Sequence, residues 1–305
     1  MQGFAAGGEV NGAAILGLEQ TASAKRGFAG ALILSSAGIG AILATSSGVL
    51  FTSDGIPKWG WRIPFCLGGL VGVIGFYLRR SLIEETKMTS HAFPLLNVVQ
   101  SHPLSFLKAI GVGGFLHVPF YIIVGYMNPL LHVKEVITGS ELMIINLIVT
   151  VFGVIIIPPL GFLADKIGSS RLMTWGAIGQ IILSIPIFFV YTEGNLFSIF
   201  IAETMLLMFA EAFIAPSHTY LNTLFPRQCR YSGVAFGSCL GTALFGGTTP
   251  LFCSYLSQWI GPFWGPSFYL IGLAFIGVWA VSAFSISTLK IHKDEFVFSG
   301  FKSRH

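Results

Sequence analysis

Charged side chains are scarce in this sequence of 305 residues, because Asp, Glu, Lys and Arg together make up only 10% of it. An average soluble domain contains about 25%. Hydrophobic residues make up 53% and include 28 Phe, so too few polar side chains remain to cover a surface exposed to water. This composition excludes a soluble globular domain. Uncharged or nearly uncharged runs instead recur along the chain, and most are long enough to cross a membrane as helices.

Cysteines and catalytic motifs are equally few. The four cysteines lie in or beside apolar runs without the paired spacing of a zinc site, so we interpret them as packing residues. The motifs GxxxxGK[ST], GxSxG and HExxH are absent from the sequence, and we therefore predict a protein that is not an enzyme and needs no metal or cofactor. Basic residues are scattered along the chain, which argues against a nucleic-acid partner.

The apolar runs predict nine membrane spans. They are continuously apolar and do not alternate at every second residue, which favours helices over a β-barrel. The predicted spans lie at about 1–20, 28–52, 63–78, 106–128, 141–164, 172–192, 196–224, 232–256 and 267–289.

The positions of the basic residues predict the topology. Of the 17 Lys and Arg residues, only Lys58, Arg62 and Lys134 fall on the side of the loops that follow even-numbered spans. The other 14 are in loops after odd-numbered spans, at the start of the fourth span or in the C-terminal tail. The positive-inside rule places that side and the tail in the cytoplasm, and the N-terminus outside.

An internal repeat relates the first three predicted spans to the last three. The segments 59–75 and 263–278 align at an offset of 203 residues, which pairs Trp61 with Trp264 and Phe65 with Phe268. The pattern is typical of two six-helix halves related as parallel repeats, a common transporter plan.

Four stretches resemble the motifs of one family. QGFAAGGEVNGA (2–13) is similar to its fourth-helix signature, and WGWRIPF (59–65) to the start of its sixth helix. GFLADKIGSSR (161–171) resembles the cytoplasmic motif between helices eight and nine, and 225–250 the passage from the tenth helix into the eleventh. The chain thus resembles the major facilitator superfamily, in particular its metabolite:proton symporter branch, which includes proline/betaine, 2-oxoglutarate and citrate carriers.

The resemblance implies an all-α polytopic membrane helix bundle of major facilitator type, located in the bacterial inner (plasma) membrane. The nine spans would correspond to helices four to twelve, and a separately encoded N-terminal fragment would supply the first three as a partner. The expected divisions are the remainder of an N-terminal bundle, a cytoplasmic linker, a C-terminal six-helix bundle and a cytoplasmic tail, at 1–80, 81–105, 106–289 and 290–305.

Polar residues inside the spans are the candidate site. Intramembrane acids usually mark solute or proton pathways, and Glu9 and Glu211 lie near the middle of the first and seventh spans, whereas Glu203 lies nearer the outer end and is expected to be solvated. Helical spacing predicts three polar faces, with packing as the alternative role of each residue. These faces contain Gln2 and Glu9 in the first span, His117, Tyr121 and Asn128 in the fourth, and Thr204, Glu211, His218 and Asn222 in the seventh.

Two further features concern conformational change. Gly113, Gly114 and Pro119 in the fourth span, and Pro216 in the seventh, are expected to interrupt their helices. The cytoplasmic motif with Asp165, Lys166, Gly168 and Arg171 acts as a gate latch in the family that it resembles, and its alternative interpretation is an ordinary positive-inside loop.

These features predict proton-coupled secondary transport of a small organic solute by alternating access. Apart from Lys108, the spans from the fourth onward contain no Lys or Arg to bind a carboxylate, whereas aromatic residues are plentiful. This favours a zwitterion such as proline or glycine betaine, whose ammonium group can lie on aromatic faces. A dicarboxylate or tricarboxylate (2-oxoglutarate or citrate) symporter, an inactive truncated transporter remnant and a membrane enzyme are the alternatives.

Overall fold

The fold was determined as a computed structural model that describes residues 2–52, 56–57, 59–81, 94–134 and 137–282. Within these ranges all regular elements are helical, which confirms the all-α prediction. The α-helices are α1 (Gln2–Glu19), α2 (Arg26–Thr52), α3 (Ile63–Ser81), α4 (Pro94–Ser101), α5 (Pro103–Leu116), α6 (Val118–Ile122), α7 (Asn128–Val133), α8 (Gly139–Ile167), α9 (Ser169–Tyr191), α10 (Leu196–Ile214), α11 (Ser217–Thr223), α12 (Arg230–Gly241), α13 (Thr249–Ile260) and α14 (Trp264–Ser282).

Seven helical stretches in the described ranges are long and apolar enough to cross a membrane. One of the other two predicted spans corresponds to α1, whose apolar part is short. The second corresponds to the interrupted helix formed by α12 and α13. The total of nine spans therefore stays a prediction. The seven stretches are Ser23–Gly48, Gly60–Tyr77, Pro103–Val133, Glu141–Ile167, Ser169–Tyr191, Leu196–Thr223 and Trp264–Ser282.

Three of the spans are interrupted helices. The fourth changes from α5 to α6 at His117 and then forms a π-helical turn at Ile123–Met127 before α7. The seventh is broken between α10 and α11 at Pro216, which removes a backbone N–H donor, as expected from the sequence. A second π-helical turn, Thr242–Gly246, follows α12 and is separated from α13 by two residues; it was not predicted.

The main hydrophobic core lies among the helices from α5 to α14. In it α5 packs on α12 and α14, and α9 packs on α10 and α14. The first three helices join this body mainly where α2 packs along α8, with α1 contacting α11 and α12. These helix pairs therefore form the boundary between the first three helices and the rest of the described chain.

The helix order agrees with the internal repeat. At the offset of 203 residues, α1 corresponds to α10 with α11, α2 to α12 with α13, and α3 to α14. The turn predicted between the last two spans is also present, because α13 ends at Ile260 and Gly261 adopts a positive φ of 100° before α14 begins. A glycine adopts that backbone conformation without the steric cost of a Cβ atom.

Candidate functional site

Asp165 connects the end of α8 to the beginning of α2. Its Oδ1 atom accepts a hydrogen bond from the backbone N–H of Gly27 at 2.6 Å, and its Oδ2 atom accepts one from Phe28 at 2.9 Å. These donors belong to the first turn of α2, whose N–H groups have no partner within the helix. The carboxylate thus caps a helix in the other part of the molecule and interacts favourably with its dipole.

The cap requires a close approach of the two backbones. A Cβ atom on Gly27 would lie 2.6 Å from the carbonyl oxygen of Gly161 and 2.7 Å from Oδ1 of Asp165. Glycine at position 27 therefore leaves the space in which the carboxylate reaches the helix end. This explains why α2 and α8 meet so closely at this end of the bundle.

Two more contacts lie beside this cap. The hydroxyl of Thr219 in α11 donates to the backbone carbonyl of Arg26 at 3.0 Å. At the start of α12, Nη1 of Arg230 lies 2.8 Å from Oε1 of Glu19 at the end of α1, forming a salt bridge. We call this set of contacts the cytoplasmic latch, according to the predicted topology; its members are Glu19, Arg26, Gly27, Phe28, Asp165, Thr219 and Arg230.

The other residues of the predicted gate motif stay within their own segment. The ammonium group of Lys166 lies 4.5 Å from the centre of the Phe162 ring, and Arg171 points to the carbonyl of Ile167. Gly168 has a positive φ of 97° where α8 ends and α9 begins. Of the four residues, Asp165 is thus the one seen to hydrogen-bond to the first three helices in the described part of the chain.

Further along the same boundary, α1 and α12 share a polar contact. Asn11 is buried, and its Nδ2 atom lies 3.6 Å from Sγ of Cys239, while the Ser238 hydroxyl is 3.5 Å from Asn11 Oδ1. The sequence reasoning missed Asn11, although an amide in an apolar run two residues after Glu9 was an available signal.

A cavity of about 290 Å³ lies at the opposite end of the α2–α8 boundary. It is lined by α2, by the segment from α6 to α7, and by the first half of α8. The ten lining residues carry no charge. Its polar groups are two hydroxyls and two amides, from Thr45, Thr150, Asn128 and Asn146, and Phe120 supplies an aromatic ring.

The structure separates the three residues predicted to share one face of the fourth span. His117 lies near His218 of α11, whereas the ring of Tyr121 packs beside Gly246 of the second π-helical turn. Asn128 alone of the three lines the cavity. The π-helical turn at Ile123–Met127 changes the rotation per residue between Tyr121 and Asn128, and the common face stays a prediction.

The predicted face of the seventh span is also divided. Glu211 is 7% exposed and points towards α8, where a Cβ atom on Gly153 would lie 3.3 Å from its Oε1 atom. Thr204 donates to the carbonyl of Phe200 in its own helix. His218 and Asn222 follow the break at Pro216 and lie in α11. The break separates the two pairs, as the proline predicted.

The structure corrects the expected exposure of Glu203. It was expected to be solvated, but its side chain is fully buried at 0% exposure. Neither of its carboxyl oxygens has a hydrogen-bond partner among the described residues. The position of Glu203 along its span could be predicted from the sequence, but its burial near Tyr191 of α9 could not.

Two predicted residues cannot be compared. Gln2 and Glu9 lie in α1, but their side chains are outside the part of the molecule that the structure describes. In that part, His, Cys, Asp and Glu side chains form no group of three that could hold a metal ion.

Comparisons with known proteins agree with this architecture. The sequence profile of the Major Facilitator Superfamily matches residues 110–296. The chain is 27% identical over 297 residues to the "Glycine betaine/proline/ectoine/pipecolic acid transporter OusA" of Dickeya dadantii (strain 3937), and also 27% identical over 297 residues to the "Proline/betaine transporter" of Salmonella typhimurium (strain LT2). Each match covers 91% of this chain and 59% of the relative, so the chain spans about three fifths of their length.

A solved structure shares the fold. The crystal structure of a bacterial homologue of the iron transporter ferroportin in the outward-facing state superposes with a TM-score of 0.54 at 17% sequence identity. The superposition covers 90% of this chain and 66% of that one. At this identity the likeness concerns the fold alone.

The family profile covers more than half of the residues, and the helix order, the internal repeat and the superposition agree with it. The helices capable of crossing a membrane and the bacterial relatives make this a multi-pass plasma-membrane protein. Both relatives are named as transporters, which agrees with the prediction that the chain is not an enzyme. The chain belongs to the Major Facilitator Superfamily.

Proposed function

We propose that the chain takes part in proton-coupled secondary transport of a small zwitterionic solute, of the proline or glycine betaine class, by alternating access. The observation that carries the proposal is the position of the latch relative to the cavity. Both lie on the boundary between α2 and α8, with the latch at one end and the cavity at the other. A boundary closed at one end and open at the other is the arrangement that alternating access needs.

The lining of the cavity supports a solute without net charge. Its hydroxyl and amide groups can bind a carboxylate by hydrogen bonds, and the ring of Phe120 can face an ammonium group. Two or three carboxylates would need cationic partners to leave water, and the lining contains none. The names of the two bacterial relatives agree with this choice of solute class.

Glu211 is the residue that we propose to bind the coupling proton. It is buried near the middle of the seventh span, and its Oε2 atom has no hydrogen-bond partner among the described residues. A carboxylate without a partner is costly in this position, so protonation and deprotonation of Glu211 would change the stability of its contact with α8. The predicted help from Glu9 stays a prediction.

Uptake by the purified 305-residue chain in proteoliposomes tests the proposal. With an inward proton gradient, labelled proline or glycine betaine should accumulate, and a protonophore should abolish the accumulation. Labelled 2-oxoglutarate and citrate, measured in parallel, should not accumulate.

Glu211→Gln is the matched variant, because it mimics the protonated acid and cannot release a proton. We expect it to lose accumulation driven by the gradient while it still exchanges internal for external solute. If folded wild-type protein takes up none of the four solutes, the proposal is wrong and the inactive-remnant alternative is favoured. Uptake of the di- or tricarboxylate alone would instead contradict the solute class.

A further inference from the structure

Glu203 and Tyr191 form a buried pair at the outer ends of α10 and α9. Both side chains are 0% exposed, and they lie near each other where α9 packs on α10. Neither carboxyl oxygen of Glu203 has a hydrogen-bond partner among the described residues, and the Tyr191 hydroxyl has none either. Buried polar groups in proteins are normally paired, so a buried carboxyl group without a hydrogen-bond partner needs an explanation in its protonation.

The chemistry of these groups favours a proton as the occupant. As carboxylate and phenol, the pair presents oxygen acceptors but only one hydrogen, that of the Tyr191 hydroxyl. One added proton on Glu203 supplies a second donor and removes a charge that would otherwise lie in a nonpolar environment. A metal ion would need more ligands than two side chains supply.

Among the residues that the structure describes, no cationic side chain is seen to pair with Glu203. The ring of Phe188 stacks on Tyr191 at 5.7 Å, and the neighbouring buried residues Ile199, Ala202 and Leu206 are apolar. This leaves Tyr191 as the ionisable group seen to interact with Glu203 in the described residues.

Several ionisable groups on the other helices that pack on α10 have neighbours of their own, and Lys108 of α5 lies near the opposite end of its span. In α8, Glu141 lies at the outer end and accepts hydrogen bonds from Thr138. In the fourth span, the Tyr126 hydroxyl bonds to Ser257. His117 and His218, from the α5–α6 break and from α11, interact with each other.

Glu203 is close to the outer surface and separate from Glu211. It lies seven residues after the start of α10, which is about 10 Å along the helix axis. The connection before it, residues 192–195, contains the exposed Glu193. Glu211 lies eight residues further on and points towards α8, whereas Glu203 points towards α9.

We propose that Glu203 and Tyr191 form a second proton-binding site, which exchanges its proton with water on the outer side. This rests on the proposed function, in which Glu211 carries the coupling proton. In the binding step, a proton moves from external water to the Glu203 carboxylate and leaves a neutral carboxylic acid near the Tyr191 hydroxyl. Deprotonation reverses this step, and no bond between heavy atoms changes.

Infrared difference spectroscopy of the full chain in lipid bilayers tests the site without requiring transport. When the external pH is raised, the wild type should lose one carboxylic-acid C=O band that Glu203→Gln lacks. Glu193→Gln is the matched control, since it removes an exposed acid ten residues away, and it should keep the band. Tyr191→Phe should keep the band but shift its frequency, because the polar hydroxyl near the acid is removed.

Two results would overturn the proposal. One is a difference spectrum of Glu203→Gln identical to that of the wild type. The other is a Glu203 band that does not respond to pH, which would make the acid a permanently protonated packing residue.

Proton uptake per solute, measured in the transport assay, should fall in Glu203→Gln and stay unchanged in Glu193→Gln. Absence of transport in every variant would count against the proposed function, whereas the infrared result would still decide the proton site.

Discussion

The carboxylate of Asp165 accepts two backbone hydrogen bonds from the first turn of α2, whereas Glu19 holds Arg230 by a single salt bridge near the surface. Helix-capping side chains contribute about 0.5–2 kcal/mol. Exposed ion pairs contribute about 0.2–1 kcal/mol, and the side chain of Glu19 is 40% exposed. Closure of the latch therefore depends more on Asp165 than on Glu19.

Cys229 provides a native reporter for this closure. It immediately precedes Arg230 and is half-buried, and this burial raises the pKa of its thiol above the ordinary value. At neutral pH a raised pKa leaves less of the reactive thiolate. Opening the latch would expose Cys229, return its pKa towards the ordinary value and speed its alkylation.

We therefore predict that Asp165→Asn speeds maleimide labelling of Cys229 about twofold to tenfold at neutral pH, as loss of about 0.5–1.4 kcal/mol implies. Glu19→Gln should have a smaller effect. Peptide mapping by mass spectrometry separates Cys229 from the other cysteines. The gain should shrink as the pH rises above the raised pKa, because the thiolate then predominates in both proteins.

Lys166→Gln serves as the control for this prediction. It changes the charge of the same turn, but Lys166 packs on Phe162 in its own helix. Labelling that is equally fast in Lys166→Gln and Asp165→Asn would show that loop charge, and not the cap on α2, controls access to Cys229.

Among the elements, α5 and α12 make the closest crossing of backbones. A Cβ atom on Gly241 would overlap the carbonyl oxygen of Ile110, and one on Gly113 would overlap that of Ser238. The close approach lets the Thr242 hydroxyl donate to the carbonyl of Gly113 at 2.9 Å. Small residues at such crossings are the usual means of packing membrane helices.

Gly241→Ala should consequently destabilise the protein. An added methyl group at a packed crossing costs about 1–3 kcal/mol, so the midpoint of thermal unfolding in detergent should fall by about 2 °C or more. Gly272→Ala is the matched control, because a Cβ atom on this exposed glycine of α14 meets nothing within 4 Å. Its midpoint should stay the same or rise, and an equal fall in both variants would contradict the role of the crossing.

At the scale of the elements, the sequence predicted the helices well but only some of their interruptions. Uncharged runs identified the seven helical stretches that can cross a membrane, because a span must be apolar over most of its length, and Pro216 identified one break. The π-helical turns at Ile123–Met127 and Thr242–Gly246 have no comparable local signal. The burial of Glu203 was not predictable either, because it depends on how α9 packs against α10.

In the molecule as a whole, α2 and α8 are the two helices that connect the latch to the cavity. Asp165 and Gly27 meet at one end of the pair, and Thr45 and Thr150 line the cavity near the other end. Long helices in contact along their length transmit a change at one end as a rigid movement at the other. A solute that draws Thr45 and Thr150 together would in this way favour opening of the latch.

The cavity itself gives the most direct test of this coupling. Leu147 of α8 lines the cavity, whereas the adjacent Ile148 is 49% exposed on the apolar exterior of the bundle. Leu147→Trp should fill much of the space and reduce solute uptake at least about tenfold, equivalent to about 1.4 kcal/mol. Ile148→Trp adds the same ring where it meets lipid, and it should keep uptake close to that of the wild type. Labelling of Cys229 should be unchanged in both variants without solute, because neither ring touches the latch. Added glycine betaine should speed this labelling in Ile148→Trp but not in Leu147→Trp, and an equal response in the two variants would exclude the cavity as the site through which solute acts on the latch.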